Sequence, residues 1–320
     1  MKRQPASDVP KKRHARARMR RAIATPRVSF AELEIHTEDG VALRAVVHDP
    51  KEGTPLRGTC VFAHAMFASK SEFGRREGRG LADAYAALGF RTIAFDFRGH
   101  SGSAMRADEE WGYDDLVRFD LPAVVDCARA RSEGRPVIVV GHSLGAHVAL
   151  AAQGTRRIDV DGIVAVAGNV WLREFETSRV RAVAKLALMT ALRGVARRIG
   201  RFPARTIRFG NNDASARFIE DLARTTLHHA WTSADGRDDY LAALANVQIP
   251  VCAVASDGDR LFCHPASAER FVRRCRGPVR CMRITHSDDG GPPPGHMSLV
   301  TSDRARRPLI AALQWVVAPK

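Results

Sequence analysis

A serine flanked by glycines is the residue of this chain best placed to act as a nucleophile. Residues 141–145 read Gly-His-Ser-Leu-Gly, follow an apolar run and precede an alanine-rich stretch. A serine on such a strand–turn–helix needs small residues two positions before and after it, and the turn exposes its hydroxyl at the helix N-terminus. The pattern therefore predicts that Ser143 lies on a nucleophile elbow. The alternative is a glycine-rich turn whose serine only caps the helix.

A serine hydroxyl is a weak nucleophile unless a histidine takes its proton and an acid orients that histidine. The chain supplies both residue types downstream of Ser143. Asp259 lies just beyond the apolar run 250–256, and His296 lies between the last predicted strand and the last predicted helix. Each of the three residues follows the carboxyl end of a predicted strand. The sequence therefore predicts an acyl-transfer triad of Ser143, His296 and Asp259.

Two neighbouring residues compete for the roles of base and acid. His286 also lies near the end of the last predicted strand, but it precedes the Gly/Pro-rich loop that leads to His296. Asp257 lies two residues before Asp259 and could orient the histidine instead. Both residues remain open as alternatives.

The other histidines near these motifs have less specific surroundings. His142 and His147 flank the serine, and we expect them to pack around it rather than to react. The pair at 228–229 has no matching group of cysteine, histidine or aspartate nearby. No metal and no cofactor are therefore expected.

Acyl transfer also needs N–H donors that stabilise the oxyanion of the tetrahedral intermediate. The backbone N–H of Leu144, directly after the nucleophile, is expected to be one of them. The second should come from the loop after the predicted strand that ends at residues 63–64, where residues 64–67 read His-Ala-Met-Phe.

Two kinds of apolar pattern indicate the elements that position these residues. Residues 28–35 and 41–47 alternate apolar and polar around a Glu-Asp-Gly turn, which predicts a hairpin. Five later runs are short and continuously apolar, as in parallel strands buried by helices on both faces. They cover residues 59–64, 91–97, 136–141, 162–167 and 250–256. A final run follows at 278–284, and a terminal helix is predicted over 297–317. The predicted fold class is α/β, with a mostly parallel central sheet flanked by helices.

A long insertion interrupts this alternation. Residues 169–246 contain no strand-like run of similar strength. Within them, residues 180–199 place apolar side chains at helical spacing and put Arg181, Lys185, Arg193 and Arg197 on the other face, which predicts a basic amphipathic helix. We expect residues 169–246 to form a mostly helical cap over the site.

Several motifs together resemble the α/β-hydrolase superfamily, and most resemble its bacterial serine-hydrolase branch of predicted esterase-like proteins. They are His-Ala-Met at 64–66, Phe-Asp-Phe-Arg-Gly-His-Ser-Gly-Ser at 95–103, Gly-His-Ser-Leu-Gly at 141–145, Asp259 and Gly-His-Met at 295–297. The resemblance covers residues 28–318, and residues 199–205 with 209–210 look like a lid-region pattern of that branch. The order of serine, aspartate and histidine along the chain is also the order in that fold.

The resemblance assigns roles to five residues and implies an activity. Ser143 is the nucleophile, His296 the base and Asp259 the residue that orients it, while Leu144 and Met66 give the oxyanion N–H groups. The implied activity is that of a carboxylesterase- or thioesterase-like serine hydrolase. The chain departs from most relatives in having Ala65 where they have glycine, and from many in having Ser101 where they have glycine.

Three other functions compete with hydrolysis. An acyltransferase of the same fold would use the same three residues but exclude water, and the sequence does not separate it from a hydrolase. A dehalogenase or epoxide hydrolase would carry aspartate at position 143. A non-catalytic binding protein of this fold would usually have lost one of the three residues, and here all are present.

The cap region is rich in arginine. These side chains would suit an anionic substrate, such as an acyl-CoA thioester, and the cap is where specificity would be determined. A solvated face in an arginine-rich protein explains the same residues at least as well. The substrate is therefore expected to be a small ester or thioester, with the sign of its charge left open.

The net charge is concentrated at one end of the chain. Fifty Lys and Arg against 35 Asp and Glu give a formal charge of +15, and residues 1–22 hold nine basic residues and one acid. Basic residues without interleaved aromatics attract phosphate but do not recognise bases. We therefore expect residues 1–24 to be a disordered tail that associates at most weakly with polyanions or acidic lipid and binds no specific nucleic acid, with residues 25–320 forming the hydrolase domain.

The cysteines and the lengths of the apolar runs indicate where in the cell the protein is expected. The six cysteines are scattered without a Cys-x-x-Cys pair, and no stretch resembles a secretory signal or reaches the roughly 18 apolar residues of a membrane span. Reduced thiols and a cytoplasmic location are expected.

Overall fold

A computed structural model of the protein describes residues 30–74, 80–104 and 109–318. Its strands are β1 (Phe30–His36), β2 (Ala42–His48), β3 (Gly58–Ala63), β4 (Phe90–Phe95), β5 (Val137–His142), β6 (Gly162–Val166), β7 (Arg201–Phe202), β8 (Ala214–Ser215), β9 (Val251–Ser256) and β10 (Val279–Ile284). Eight of them form one sheet in the order β1-β2-β4-β3-β5-β6-β9-β10, and β7 pairs with β8. The predicted fold class is confirmed.

The sheet changes from antiparallel to parallel along its width. β1 and β2 form the predicted hairpin, and β2 runs antiparallel to β4. From β4 to β10 every neighbouring pair is parallel, so the carboxyl ends of β3, β5, β6, β9 and β10 meet at one edge. The candidate site residues follow several of these strands, which places their loops together.

Helices cover both faces of the sheet. They are α1 (Leu81–Ala87), α2 (Tyr113–Asp115) leading through a π-helical turn (Leu116–Asp120) into α3 (Leu121–Ala130), α4 (Leu144–Gly154), α5 (Arg179–Ile199), α6 (Ala216–His228), α7 (Tyr240–Ala243), α8 (Pro265–Val272), α9 (Ser298–Thr301) and α10 (Arg306–Val317). Short 3-10 turns occur at Lys70–Glu72, Arg173–Phe175, Leu244–Asn246 and Asp303–Ala305.

The core consists of two apolar layers separated by the sheet. Alternate residues of β5 belong to opposite layers: Val139 packs with residues of α3 and α4, and Val140 packs with residues of α1 and α10. Successive side chains of a strand point to opposite faces. Every residue of β5 is buried because both faces are covered, which is why this strand is apolar up to its last residue, His142.

The predicted terminal helix over 297–317 is wrong in one respect, because the structure divides it. α9 ends at Thr301, and Ser302 has an extended backbone with ψ of 164°. Its hydroxyl accepts a hydrogen bond from the N–H of Arg304 and caps the next turn. Pro308 then lies in the first turn of α10, where a missing N–H costs nothing, whereas within one continuous helix it would have broken a hydrogen bond.

The cap helix is present, but its faces are not as the sequence pattern suggests. An apolar stripe on a surface helix normally faces the core. In α5, however, Val180 and Val183 are 79% and 64% exposed, whereas Lys185 is only 3% exposed. Lys185 is accommodated because its ammonium donates to Oε2 of the buried Glu176 at 2.8 Å.

Three further predictions concern the N-terminal tail, the cysteines and membrane-spanning helices. Residues 1–24, the predicted tail, lie outside the described residues, as do Val28 and Ser29 of the predicted hairpin. All six cysteines are within the described ranges, and none of them forms a disulfide there. In the described parts of the chain, no helix combines the length and the apolar character needed to cross a membrane.

The turn between β5 and α4 depends on a very close approach at Gly145. A Cβ at this position would lie 2.1 Å from the carbonyl oxygen of Ala63 on β3. We expect Gly145→Ala to lower the free energy of unfolding by about 2–3 kcal/mol, because backbone on both sides must shift. Gly194→Ala in α5 is the matched control, since nothing lies within 4 Å of its added Cβ; it should stabilise by about 0.5–1 kcal/mol. Urea unfolding of both variants gives the comparison, and equal stabilities would contradict the packing at Gly145.

Candidate active site

Ser143 occupies a strained backbone position at the carboxyl end of β5. Its φ and ψ are 51° and −109°, a combination that L-residues rarely adopt. The N–H of Ser143 donates to the carbonyl of Val166 on the neighbouring β6 at 2.9 Å, which helps to hold the turn. At Gly141 a Cβ would lie 2.5 Å from the backbone of Ala146. The small residues that the motif predicts on either side of the serine are therefore required by contact.

His296 and Asp259 form a buried pair. Nδ1 of His296 lies 2.5 Å from Oδ2 of Asp259, and both side chains are largely withdrawn from solvent. The other carboxylate oxygen accepts the N–H of Phe262 at 3.0 Å. Burial alone would raise the pKa of Asp259, but the hydrogen bond and charge of His296, with the N–H groups of Cys263 and Phe262, outweigh burial and lower it. Asp259 is thus held ionised against the imidazole.

The competing acid and base lie elsewhere. Asp257 forms an ion pair with the exposed Arg283 on β10, at 2.7 and 3.0 Å. His286 is exposed and contacts only the hydroxyl of Thr285 among its described hydrogen bonds. Neither reaches the His296–Asp259 pair, so the geometry favours His296 over His286 and Asp259 over Asp257.

Ser143 lies beside this pair without being bonded to it. The preceding residue, His142, has its ring 5.1 Å from the ring of His296, and its Nε2 lies 3.2 Å from the carbonyl oxygen of His296. Within the described residues, no hydrogen bond joins the Ser143 hydroxyl to His296. Catalytic hydrogen bonds are often long without substrate and tighten in the complex.

Two residues that line the cavity at Ser143 have backbone N–H groups without a described partner. Those of Leu144 and Met66 make no hydrogen bond with any described residue, and both residues line the cavity together with Ser143. Leu144 is the first residue of α4, where an N–H has no partner within the helix. These are the two donors predicted for the oxyanion.

The loop bearing Met66 is held by His64. Nε2 of His64 accepts the N–H of Phe97 at 3.1 Å, so the ring proton must be on Nδ1, which donates to the carbonyl of Ala65 at 2.8 Å. That carbonyl belongs to the same planar peptide as the N–H of Met66, and the two groups point in opposite directions. The histidine therefore fixes the direction of the Met66 N–H.

The two departures from the family pattern, Ala65 in the loop after β3 and Ser101 in the loop after β4, are both accommodated. Ala65 does not have a positive φ; the left-handed residue is Phe67, with φ of 63°. Ser101 is left-handed, with φ of 45°, and is held by Asn212 of the cap region. Oδ1 of Asn212 accepts the N–H of Ser101 at 2.7 Å, while its amide donates to the carbonyl of Ala68 at 2.6 Å.

The cavity at Ser143 is small and uncharged. Its volume is about 70 Å³, and no Asp, Glu, Lys or Arg is among its described lining residues. Cap residues Met189, Leu222 and Trp231 form part of its wall. A second cavity of about 410 Å³ lies on the other side of Asn169, Trp171 and Thr226, which line both.

Two features of the site were not predicted from the sequence. Oε1 of the buried Glu72 accepts the N–H of Ala65 at 3.0 Å and lies 3.1 Å from Nδ1 of His142. Asn212 contacts both the loop after β3 and the loop after β4. Neither residue carries a local signal, because the partners of each are distant in sequence. Among the described residues no group of side chains could hold a metal.

Comparison with protein families identifies the chain. The model of the serine aminopeptidase S33 family matches residues 54–286, well over half of the sequence. The chain belongs to this family. It is therefore a member of the α/β-hydrolase superfamily, as the motifs indicated, and of a family of hydrolases. A search of curated proteins found no match.

Solved structures confirm the α/β-hydrolase fold. A soluble variant of monoglyceride lipase from Saccharomyces cerevisiae, in complex with a substrate analogue, is 17% identical with a TM-score of 0.62, covering 92% of this chain and 99% of that one. An esterase from Pyrococcus furiosus is 16% identical with a TM-score of 0.59, covering 91% and 92%. The α/β-hydrolase GrgF from a Penicillium species is 15% identical with a TM-score of 0.61, covering 90% and 98%. Identities this low establish the fold alone.

His147, which lines the cavity and contacts the phenol of Tyr113 at 3.0 Å, should make stability depend on pH. Burial lowers the pKa of His147 to about 3, against about 6.5 in an unfolded chain. Between these values the unfolded state binds a proton that the folded state does not, so stability falls as pH falls. At pH 5 the cost is about 2 kcal/mol.

His147→Gln removes this titration and keeps a polar partner for Tyr113. Between pH 7 and pH 5 its free energy of unfolding should therefore decrease less than that of the wild type, by about 1–2 kcal/mol. Urea titrations at both values measure the difference, and identical pH dependence would show that His147 does not titrate in this way.

Proposed function

We propose that this protein is a serine hydrolase that cleaves a carboxylic ester or thioester through an acyl-enzyme. One observation carries the proposal: the buried His296–Asp259 pair lies near a nucleophile-elbow serine, and two residues with unbonded N–H groups line the cavity at that serine. Nucleophile, base, orienting acid and oxyanion donors are the parts that acyl transfer requires.

The proposed reaction has two halves. His296 takes the proton of Ser143 as the serine oxygen attacks the acyl carbonyl, and Asp259 stabilises the imidazolium that forms. The N–H groups of Leu144 and Met66 stabilise the oxyanion. His296 then returns the proton to the leaving alcohol or thiol, and water, activated by the same histidine, releases the acid and restores the serine.

The charges around the site favour an ester over the N-terminal amide that an aminopeptidase cleaves. An aminopeptidase must bind the substrate ammonium, and a buried cation needs a partner of opposite charge. The catalytic cavity has no carboxylate among its described lining residues. The carboxylate of the outer cavity, Glu176, already binds Lys185 and Arg181, at 2.8 Å each. An uncharged acyl group fits this cavity better.

Replacing the nucleophile tests the proposal directly. Ser143→Ala should abolish hydrolysis of p-nitrophenyl acetate and butyrate and prevent labelling by a fluorophosphonate probe, because the variant lacks the nucleophile of the proposed reaction. Mass spectrometry of the labelled wild-type protein should place the adduct on Ser143. Labelling that persists in the variant would remove Ser143 from the mechanism.

Two aspartates separated by one residue provide a matched control. Asp259→Asn should lower kcat by on the order of 10³–10⁴, because an amide cannot hold the imidazole in the correct tautomer or stabilise its charge. Asp257→Asn, which only breaks a solvent-screened ion pair with the exposed Arg283, should leave kcat unchanged. The reverse result would make Asp257 the orienting acid.

The size of the catalytic cavity suggests a short acyl group. A volume of about 70 Å³ holds roughly two water-sized groups. The larger outer cavity is separated from Ser143 by a wall that includes Trp171, whose indole N–H donates to the carbonyl of Phe262 at 3.1 Å. The Phe262 ring in turn lies 5.0 Å from the ring of His296. Trp171 is thus held between the two cavities.

Trp171→Ala should open the catalytic cavity into the outer one and shift the preference to longer acyl chains. Each additional methylene that gains apolar contact is worth about 0.8 kcal/mol, or roughly fourfold in kcat/KM. The ratio of kcat/KM for p-nitrophenyl octanoate to that for butyrate should therefore increase at least tenfold. Leu222→Ala, which lines only the catalytic cavity, should change the ratio little. An unchanged ratio in Trp171→Ala would place the acyl chain elsewhere.

A further inference from the structure

Large exposed apolar side chains are concentrated on one part of this protein. In the described residues they occur on α5, in the loop that follows it, and next to His296. They are Val180, Val183, Leu186, Val195, Ile199, Ile207, Phe209 and Met297. We call these eight residues the apolar patch. Clustered exposed apolar residues of this kind mark an interaction surface, whereas single ones do not.

The charge of α5 has one sign. The helix contains six Lys and Arg residues and no Asp or Glu. Four of these cations form ion pairs with two acids from outside the helix: Arg181 and Lys185 bind Glu176, and Arg193 and Arg197 bind Glu220. Arg179 and Arg198 are exposed, and no described carboxylate lies within ion-pair distance of either.

The unpaired cations lie among the apolar residues. On a helical projection, Arg198 lies on the same side of α5 as Val180, because a whole number of helical turns separates them. Arg205 and Arg208 follow in the loop that carries Ile207 and are also exposed, and neither guanidinium forms an ion pair with a described carboxylate. The surface is therefore apolar and cationic together.

This surface borders the mouth of the catalytic cavity on two sides. Val183 and Leu186 line the outer cavity, which shares the wall at Trp171 with the catalytic cavity. Phe209 and Met297 line a groove of about 610 Å³ on the other side, which shares Met66 with the catalytic cavity.

We propose that the apolar patch and its unpaired arginines dock this protein onto an anionic lipid bilayer, with α5 lying in the interface. Helices that lie in a membrane interface combine an apolar side, which enters the acyl boundary, with Lys and Arg that bind anionic headgroups. A second copy of the chain does not fit this surface. A two-fold interface would place α5 against itself and oppose cations with cations.

Docking gives the site a source of substrate. The mouth of the catalytic cavity would face the bilayer, so esters resident in the membrane would reach Ser143 without crossing bulk water. This consequence rests on the proposed hydrolase function, whereas docking does not. A measurement of binding that requires no turnover therefore tests docking separately.

Vesicle sedimentation with the full chain tests the surface. Protein is mixed with vesicles of phosphatidylcholine alone, or of phosphatidylcholine and phosphatidylglycerol combined two to one, at low and physiological salt. We expect binding to the anionic vesicles only, weakened by salt. The double variant Val180→Ser, Val183→Ser should weaken binding at least tenfold, and Arg198→Gln about fivefold. Both changes are at exposed positions, and circular dichroism checks the fold.

Two controls distinguish binding through the apolar patch from binding through cations elsewhere on the protein. Arg280→Gln, at an exposed position on the edge strand β10, removes the same charge outside the patch and should leave binding unchanged. A chain lacking residues 1–22 should retain binding that still depends on Val180 and Val183. Binding that disappears with residues 1–22 and ignores the α5 substitutions would overturn the proposal. So would a dimer in sedimentation velocity that Val180→Ser, Val183→Ser dissociates.

Discussion

The left-handed backbone of Ser143 is the constraint around which the centre of the structure is built. A residue with φ of 51° is stable only if its surroundings compensate for the strain. Two hydrogen bonds do so: the N–H of Ser143 donates to Val166 on β6, and the N–H of Gly145 donates to His64 at 3.1 Å. The second bond also attaches the nucleophile turn to the loop that carries the Met66 N–H. The proposed nucleophile and the proposed oxyanion donor are thus held by one set of backbone contacts.

Glu72 extends this connection to the proposed base. Its Oε1 accepts from Ala65 and faces Nδ1 of His142, and Nε2 of His142 faces the carbonyl of His296. Both ring nitrogens of His142 therefore face oxygen atoms, so the ring bridges Glu72 and the loop of His296. A chain of buried polar contacts thus links the loop of Met66 to the loop of His296, and breaking such a buried network is costly.

The sheet and most of the candidate site could be predicted because their signals are local. A strand covered on both faces must be apolar throughout, and a strained turn must have small neighbours, so β5 and Ser143 are evident from a few consecutive residues. The orientation of α5 could not be predicted in this way. Its apolar residues follow a helical period, but Glu176, outside the helix, binds Lys185 and places that side of the helix inward. The break before α10 did have a local signal, Pro308, which a continuous helix over 297–317 could not accommodate.

The positive charge of the chain takes on a different meaning when cations are sorted by their partners. Four cations of α5 share the carboxylates of Glu176 and Glu220, so they contribute more to stability than to attraction. The unpaired ones, such as Arg198 and Arg208, lie outside, while the cavity at Ser143 is uncharged. The exposed arginines would bind anionic groups, whereas the uncharged cavity at Ser143 would bind a neutral acyl group. A neutral ester in an anionic lipid bilayer provides both, because the headgroups carry the negative charge and the ester carries the acyl group.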